Sequence, residues 1–121
     1  MWKRYIIELG WGADLHGQNV TKAARKAVKD AISRSCLCGM DEILSMQDFD
    51  EMQVHVGIAT PYPNLVDKEK VLEVLPFGKK TLKVMEGGLE TPGMYVKALG
   101  DSKDSIVVAN AVVEVYVMLE D

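Results

Sequence analysis

The chain has 121 residues, of which 48% are hydrophobic and 26% are charged, and its formal net charge is −4. This length suffices for one domain, residues 1–121, that buries a core without disulfides or metal. The acidic charge argues against a nucleic-acid partner, because phosphate binding needs a clustered basic surface. The first ten residues hold too short an apolar run for a secretory signal, and no stretch approaches a membrane span. We therefore predict a cytoplasmic protein with no membrane partner.

The first predicted elements are a strand, a turn and a helix. Residues 3–9, KRYIIEL, are rich in β-branched and aromatic residues, which predicts a strand that stops at Gly10. The glycine-rich segment 10–17 is typical of a turn. Residues 20–35 place small apolar residues at helical spacing and lysines and arginines on the other side, so they predict an amphipathic helix with Asn19 as its N-cap.

Cys36 and Cys38 follow in the sequence SRSCLCGM. Their spacing is neither that of a Cys-x-x-Cys redox motif nor that of a paired zinc knuckle. We expect two small buried residues where the helix ends at Gly39, since free cysteine behaves as a small hydrophobe. A metal-binding role is the alternative.

The middle of the chain predicts further strands and one short helix. In residues 52–59 the aliphatic side chains alternate with Gln53, His55 and Gly57, so His55 faces away from them. Asp67 is placed to cap a short helix that stops before Pro76. The remaining segments are interpreted as a strand (79–86), a turn region (87–93), a short strand (94–99) and a polar loop (100–105).

The last segment, residues 105–118, is apolar on both faces, as expected of a central strand that is covered on each side. Asn110 and Glu114 interrupt one face. Either Asn110 bonds neighbouring backbone while Glu114 lies at an interface or near solvent, or both belong to a polar site.

The element order is β-α-β-α-β-(β)-β. Such an order predicts an α+β fold, with a mixed sheet and two helices packed on one of its faces. The second face of the sheet is then left for assembly. Trp2, Trp11 and the seven methionines add more apolar surface than two helices cover. We therefore predict a symmetric homo-oligomer.

The segment LGWGADLHG, residues 9–17, is the strongest candidate site. At the junction of a strand and a helix, glycines and free backbone N–H groups favour anionic ligands. The glycine spacing does not match the dinucleotide-binding fingerprint, which excludes a nicotinamide cofactor. Asp14 and His16 could share a divalent metal, with His55 as a further candidate ligand, or could act as a general acid/base pair. Alternatively, Asp14 caps a turn and His16 packs at a subunit contact.

These residues also resemble a known family. Gly10, Gly12, Asp14, His16 and Gly17 match the GxGxDxHG signature of a small conserved hypothetical family of bacteria and plants, the Lin-type family. The helix TKAARKAVKDAI and the closing strand VVANAVVEVYV are similar to that family as well, so the resemblance covers nearly the whole chain. It implies no particular reaction.

Two more distant resemblances suggest chemistry. Methylerythritol cyclodiphosphate synthase has a similar Gly-x-Gly-x-Asp-x-His turn, which would assign zinc ligation at a trimer interface to Asp14 and His16. That family takes another histidine from the following helix region, where this chain has none before His55. One repeat of the cyanuric acid hydrolase and barbiturase family is also similar, but Glu86-Gly87-Gly88 stands where that family has Ser-Gly-Gly. The nucleophilic serine is therefore absent, and a ring-opening amidohydrolase is not expected.

Three hypotheses about function follow. The first is an enzyme for a small anionic or carbonyl-containing metabolite at a subunit interface, with Asp14 and His16 as catalytic residues. Its candidate partner groups are Glu86, Glu90, Asn110 and His55. The second is a non-catalytic oligomer that binds a metabolite or regulates a protein, and the third is a structural oligomer whose turn only fixes assembly. The predicted ligand-binding residues are Gly10, Gly12, Gly17, Glu86, Gly87, Gly88 and Asn110.

Overall fold

The fold is built on a five-stranded mixed sheet, as the computed structural model shows for residues 1–120. The strands are β1 (Trp2–Asp14), β2 (Gln53–Thr60), β3 (Lys79–Glu86), β4 (Leu89–Pro92) and β5 (Ser105–Met118). Their order is β1-β5-β2-β3, and β4 pairs with the beginning of β5 beside β2. β5 is antiparallel to its neighbours, whereas β2 and β3 are parallel. This parallel pair requires a crossover, which a helix supplies.

Three helices cover one face of this sheet, which confirms the predicted α+β fold. They are α1 (Val20–Ile32), α2 (Gly39–Glu42) and α3 (Lys68–Leu72), and short 3₁₀ turns lie at Phe49–Glu51, Pro63–Leu65 and Lys97–Leu99. Asn19 and Asp67 cap α1 and α3 as predicted, by accepting backbone N–H bonds from Lys22 and Lys70. The single turn of α2 was not predicted. None of the helices in residues 1–120 is long and apolar enough to cross a membrane.

The core lies between the helices and the covered face of the sheet. Val54, Val56 and Ile58 of β2 are buried there, as their alternation predicted. α1 contributes mainly alanines, with Ala23, Ala24 and Ala27 fully buried. Because alanine has so short a side chain, α1 packs close to the strands beneath it.

The prediction for Cys36 and Cys38 was wrong. α1 ends at Ile32, earlier than the predicted residue 35, because Ser33, Arg34 and Ser35 are polar and extend no buried stripe. Gly39 begins α2 rather than ending the first helix. Both cysteines are exposed, with free thiols, in the connection between the two helices.

The predictions for residues 87–93 and 94–99 were also wrong. Leu89–Pro92 forms a strand rather than a turn. β5 begins at Ser105, but its pairing with β2 begins only at Asn110, so the first residues of β5 have a free edge, and β4 pairs with that edge. Residues 94–99 form no strand. The backbone N–H of Val96 donates instead to the side chain of Asp101, and a 3₁₀ turn follows.

The opposite face of the sheet, the open face, carries no helix. β5 lies between β1 and β2 and is a central strand, as predicted, but residues 1–120 cover only one of its two faces. Its side chains alternate between buried ones under the helices and half-buried or exposed ones on the open face. The exposed large apolar side chains of the open face are Trp2, Ile7, Leu9, Trp11, Met85, Leu89 and Met118.

Candidate functional site

Gly10 and Gly12 lie inside β1 rather than in a turn, so the prediction that the strand stops at Gly10 was wrong. Both glycines face α1. A Cβ added to Gly10 would lie 2.5 Å from the carbonyl oxygen of Ala27, and one added to Gly12 would lie 2.5 Å from the Ala27 nitrogen. No side chain fits in these gaps. The two glycines let the backbone of the helix approach the backbone of the strand.

The actual connection is short, residues 15–19, and Asp14 closes it. Asp14 is buried at the end of β1, and its Oδ2 accepts a hydrogen bond of 2.8 Å from the backbone N–H of Asn19. Asn19 then caps α1. Asp14 thus fixes the path of the loop through this hydrogen bond. This role matches the alternative in which Asp14 caps a turn.

Asp101 is the centre of the cluster that forms on the other side of this loop. Its buried carboxylate accepts four hydrogen bonds, from His16 Nδ1 at 2.7 Å, Gly17 N at 2.7 Å, Gln18 Nε2 at 2.9 Å and Val96 N at 2.8 Å. Burial by itself raises the pKa of Asp101, but these bonds outweigh it and hold the pKa well below its ordinary value. Asp101 is therefore charged at neutral pH.

The charge of Asp101 determines the tautomer of His16. An ionised carboxylate can only accept hydrogen bonds, so Nδ1 of His16 must carry the proton in this pair. The side chain of His16 is 25% exposed, and its Nε2 makes no hydrogen bond within residues 1–120. In the neutral form of the ring, Nε2 is then the unprotonated nitrogen, and it is open to another molecule. This is the arrangement in which a carboxylate orients a histidine for proton transfer.

Gln18 joins the two loops that carry this pair. Its backbone is left-handed, with φ of 51°, and follows Gly17 at φ 98°. Its Nε2 also donates to the carbonyl oxygens of Lys103 and Ser105, while its Oε1 accepts from the backbone N–H of Ser102. A strained backbone held by several hydrogen bonds indicates a loop whose shape is fixed.

Glu90 of β4 lies next to this cluster. Its carboxylate accepts from Tyr62 Oη at 2.7 Å and Ser105 Oγ at 2.8 Å, and it forms a 3.0 Å ion pair with Lys103. Hydrogen bonds from Tyr62, Lys103 and Ser105 lower the pKa of Glu90 to about 2. Since Gln18 binds the carbonyl oxygen of the same Ser105, the two polar clusters are continuous.

The other predicted ligand-binding residues lie nearby or elsewhere on the sheet. Glu86, Gly87 and Gly88 are exposed at the connection from β3 to β4. There the backbone N–H of Gly87 donates to the carbonyl oxygen of Thr60. Asn110 is exposed on the open face, opposite Trp11 in β1. Glu90 is therefore the residue of the segment EGGLETPG whose side chain bonds Lys103 and Ser105, the two residues whose carbonyl oxygens Gln18 binds.

His55 lies at the other end of the open face. It pairs with Glu114, whereas Asp14 pairs with Val107, and seven residues of strand at ~3.3 Å each separate these positions by about 23 Å. Its ring packs against that of Tyr116 with centroids 4.7 Å apart and a tilt of 34° between the ring planes. Beside it, Glu114 bonds Arg4, which lowers the pKa of Glu114 despite partial desolvation. His55 does not meet His16 within one chain.

A shared metal is not supported by this geometry. Asp14 and His16 bond to different partners, and the part of the chain that the structure describes contains no group of three or more His, Cys, Asp or Glu side chains placed to hold a metal ion. A divalent metal is therefore assigned no ligands here. It stays a prediction.

Comparison with known proteins identifies the family. A family model described as a conserved hypothetical protein family, Lin0512, matches residues 4–115. The chain belongs to this family. This confirms the family resemblance in the sequence. The chain is also similar to the crystal structure of an FtsZ-like protein of unknown function from Nostoc punctiforme, with 43% identity, 98% of each chain covered and a TM-score of 0.88. No curated protein matches the chain.

In this Lin0512 family member, sequence reasoning found His16 but missed its partner. Asp101 lies in the polar segment GDSKDS, where an acidic residue is expected to be solvated, and 84 residues separate it from Gly17. Gln18 was missed for the same reason, since a glutamine in a loop carries no periodic or motif signal. Only the fold brings the two loops together.

Proposed function

We propose that this protein is a homo-oligomer that binds a small anionic or carbonyl-containing metabolite beside His16, and that His16 exchanges a proton with it. The observation that carries the proposal is the pair of His16 and Asp101, in which a buried carboxylate holds Nδ1 at 2.7 Å and leaves Nε2 free within residues 1–120. A purely structural histidine has no need of an oriented basic nitrogen that faces no partner.

The roles of the neighbouring residues follow from their contacts. Asp101 is a positioning residue, because it acts on the ligand through His16. Asp14 and Gln18 hold the loop from its two sides and position His16 in the same way. Lys103 and Tyr62 place a cation and a hydroxyl group near the same loop, where they could meet a carboxylate or carbonyl oxygen.

The open face supports the oligomer. Leu9 and Trp11 are 65% and 61% exposed in the same strand, and Leu89 and Met118 extend the apolar surface along the sheet. Exposed apolar surface of this extent is typical of an interface. A second copy that covers it removes these side chains from water.

Pairing through the edge of β1 is less suitable for assembly. Three outward-facing backbone groups of this edge, on alternate residues, already bond side chains of α1 or of the residues that follow it: Arg34 binds the Leu9 carbonyl, Asp30 binds the Trp11 N–H, and Lys26 binds the Ala13 carbonyl. Side chains that cover an edge in this way oppose strand addition. We therefore propose that the subunits meet through the open face. The loop 15–19 then lies at the border of the interface, since exposed Leu15 follows β1 directly.

The alternative is that the loop only fixes assembly. Asp14 and Gln18 form their hydrogen bonds inside the chain, as expected of a structural loop. The alternative differs from the proposal in one consequence: substitution of His16 would change the oligomer and no ligand would depend on it.

The test compares His16→Ala with His55→Ala, the matched change at the other histidine of the chain. Thermal shift with pyruvate, oxaloacetate, malonate and inorganic phosphate identifies a binding anion, and sedimentation velocity gives the oligomeric state. We expect a wild-type oligomer, with an anion response that His16→Ala loses and His55→Ala keeps. The proposal fails if the wild type responds to none of these anions, if both variants respond like the wild type, or if His16→Ala dissociates the oligomer while binding persists. A monomer at micromolar concentration contradicts the assembly.

A further inference from the structure

A cavity of about 520 Å³ lies at the end of α1 remote from His16. Ile32, the last residue of α1, lines the cavity, whereas the loop 15–19 precedes the first residue of α1. The 13 residues of the helix therefore separate the two regions by roughly 20 Å, at ~1.5 Å per residue. Its volume is typical of sites for small molecules, which span roughly 300 to 1,000 Å³. Nothing in the proposed function uses this cavity.

The walls of the cavity are mostly apolar. Met40, Leu75 and Val113 belong to the hydrophobic core and also line the cavity, so the core is accessible at this point. Phe49 and Phe77 contact each other edge to face, with centroids 5.5 Å apart, and both are partly exposed at the cavity. These surfaces suit an apolar or aromatic body.

The charged lining residues are all acidic. Among the described residues that line the cavity, the charged ones are Glu8, Asp41 and Glu42, with no lysine, arginine or histidine. Glu8 lies deepest, at 7% exposure in β1. A cavity with this charge repels carboxylates and phosphates and attracts cations.

Glu8 has one oxygen bonded and one available. Its Oε2 accepts a hydrogen bond from the Ser35 hydroxyl, and its Oε1 has no hydrogen-bond partner within residues 1–120. Every fully buried side-chain oxygen or nitrogen of these residues has a partner, so Oε1, which has none, is not fully buried. Glu8 lines the cavity, and the cavity is the space in which Oε1 can meet a ligand. A buried carboxylate that presents a free oxygen to an apolar space is costly unless a cationic donor meets it.

We propose that this cavity binds an organic amine, with the protonated amino group on Glu8 Oε1 and the apolar body against the core side chains and the phenylalanine pair. An ammonium group forms a charge-assisted hydrogen bond with the carboxylate. An alcohol of the same shape gains only a weaker bond, and a carboxylate of the same shape meets repulsion from Glu8.

The test uses three probes of similar shape and different charge: phenethylamine, phenethyl alcohol and hydrocinnamate. Calorimetry near neutral pH is expected to show that the amine binds about tenfold more tightly than the alcohol, and that hydrocinnamate binds more weakly still. In Glu8→Gln the affinity for the amine falls about tenfold and the affinity for the alcohol changes little. Glu69→Gln, an exposed change on α3, serves as the control and leaves all affinities unaltered.

A second measurement keeps the proposal testable if Glu8→Gln does not fold. Cys36 and Cys38 are exposed, free and part of the cavity lining, so their reaction with a neutral aromatic disulfide reagent reports on occupancy in the wild-type chain. Phenethylamine is expected to slow this reaction more than phenethyl alcohol does. Equal binding or equal protection by all three probes overturns the proposal, as does an affinity for the amine that Glu8→Gln does not change. Failure of the amine to bind at millimolar concentration overturns it as well, and none of these outcomes bears on His16.

Discussion

The two ends of α1 differ in what lies between the helix and the sheet. At its beginning, Gly10 and Gly12 let helix and strand backbones meet, and the adjacent loop is fixed through Asp101, which accepts four hydrogen bonds. At its end, helix and sheet enclose a cavity with one buried carboxylate, Glu8, that receives a hydrogen bond from Ser35. One end is thus organised to hold a side chain in place, and the other leaves space. The same pair of helix and strand thus provides a fixed loop at one end and a cavity at the other.

The largest effect is expected from Gly12→Val, which tests the close contact. The added side chain meets the backbone of Ala27 and must push the helix from the strand, so we expect the free energy of unfolding to fall by about 3 kcal/mol. Val115→Ile is the control at the other end, where the extra carbon can enter the cavity and the loss is under about 1 kcal/mol. Urea denaturation measures both. Equal losses would show that the two ends are packed alike.

A smaller effect is expected from exchanging the buried carboxylates. Asp101→Asn turns an amide N–H₂ toward groups that are themselves donors, whereas Glu8→Gln can still accept the Ser35 hydrogen bond. We expect Glu8→Gln to cost about 1 kcal/mol or less, and Asp101→Asn to cost clearly more. Urea midpoints of the two variants give the comparison. A larger loss in Glu8→Gln would reverse the assignment of the structural carboxylate.

The smallest effect is a dependence of stability on acid pH. The pKa of Asp101 lies below its ordinary value of 3.8, and that of Glu90 falls from 4.5 to about 2, so both carboxylates favour the folded state when ionised. Their stabilisation is complete above the ordinary values and is lost as the pH falls through the lowered ones. The free energy of unfolding of the wild type, measured with urea, should therefore decrease as the pH drops below 4.5. The decrease should be shallower in Asp101→Asn. An identical decline in both proteins would mean that Asp101 contributes nothing to it.

Sequence periodicity predicted the elements that bury a regular pattern of side chains. The helix beginning at Asn19, the alternation around His55 and the long strand 105–118 all follow from burial on one face, which local spacing records. The glycines of β1 were misassigned because glycine usually marks a turn. Here the reason for glycine is a helix packed across the strand, and that contact is tertiary.

The candidate site was predictable only in part. The GxGxDxHG pattern identified His16 and the correct family, but its Asp14 caps the loop while the histidine's partner comes from residue 101. A carboxylate in a polar loop gives no sign in the sequence that it is buried. The cavity was missed for a related reason, since Glu8 alternates with apolar residues in a strand and only the end of α1 places it against open space.

The central claim is that Asp101 holds His16 with the proton on Nδ1 and leaves Nε2 basic. Long-range proton–nitrogen NMR of the two histidines measures the tautomer of each neutral ring directly, and His55, which lies away from Asp101, is an internal reference. We predict that neutral His16 is entirely the Nδ1–H tautomer in the wild type and that Asp101→Asn removes this preference. A neutral His16 protonated on Nε2, or the same tautomer in Asp101→Asn as in the wild type, would contradict the account.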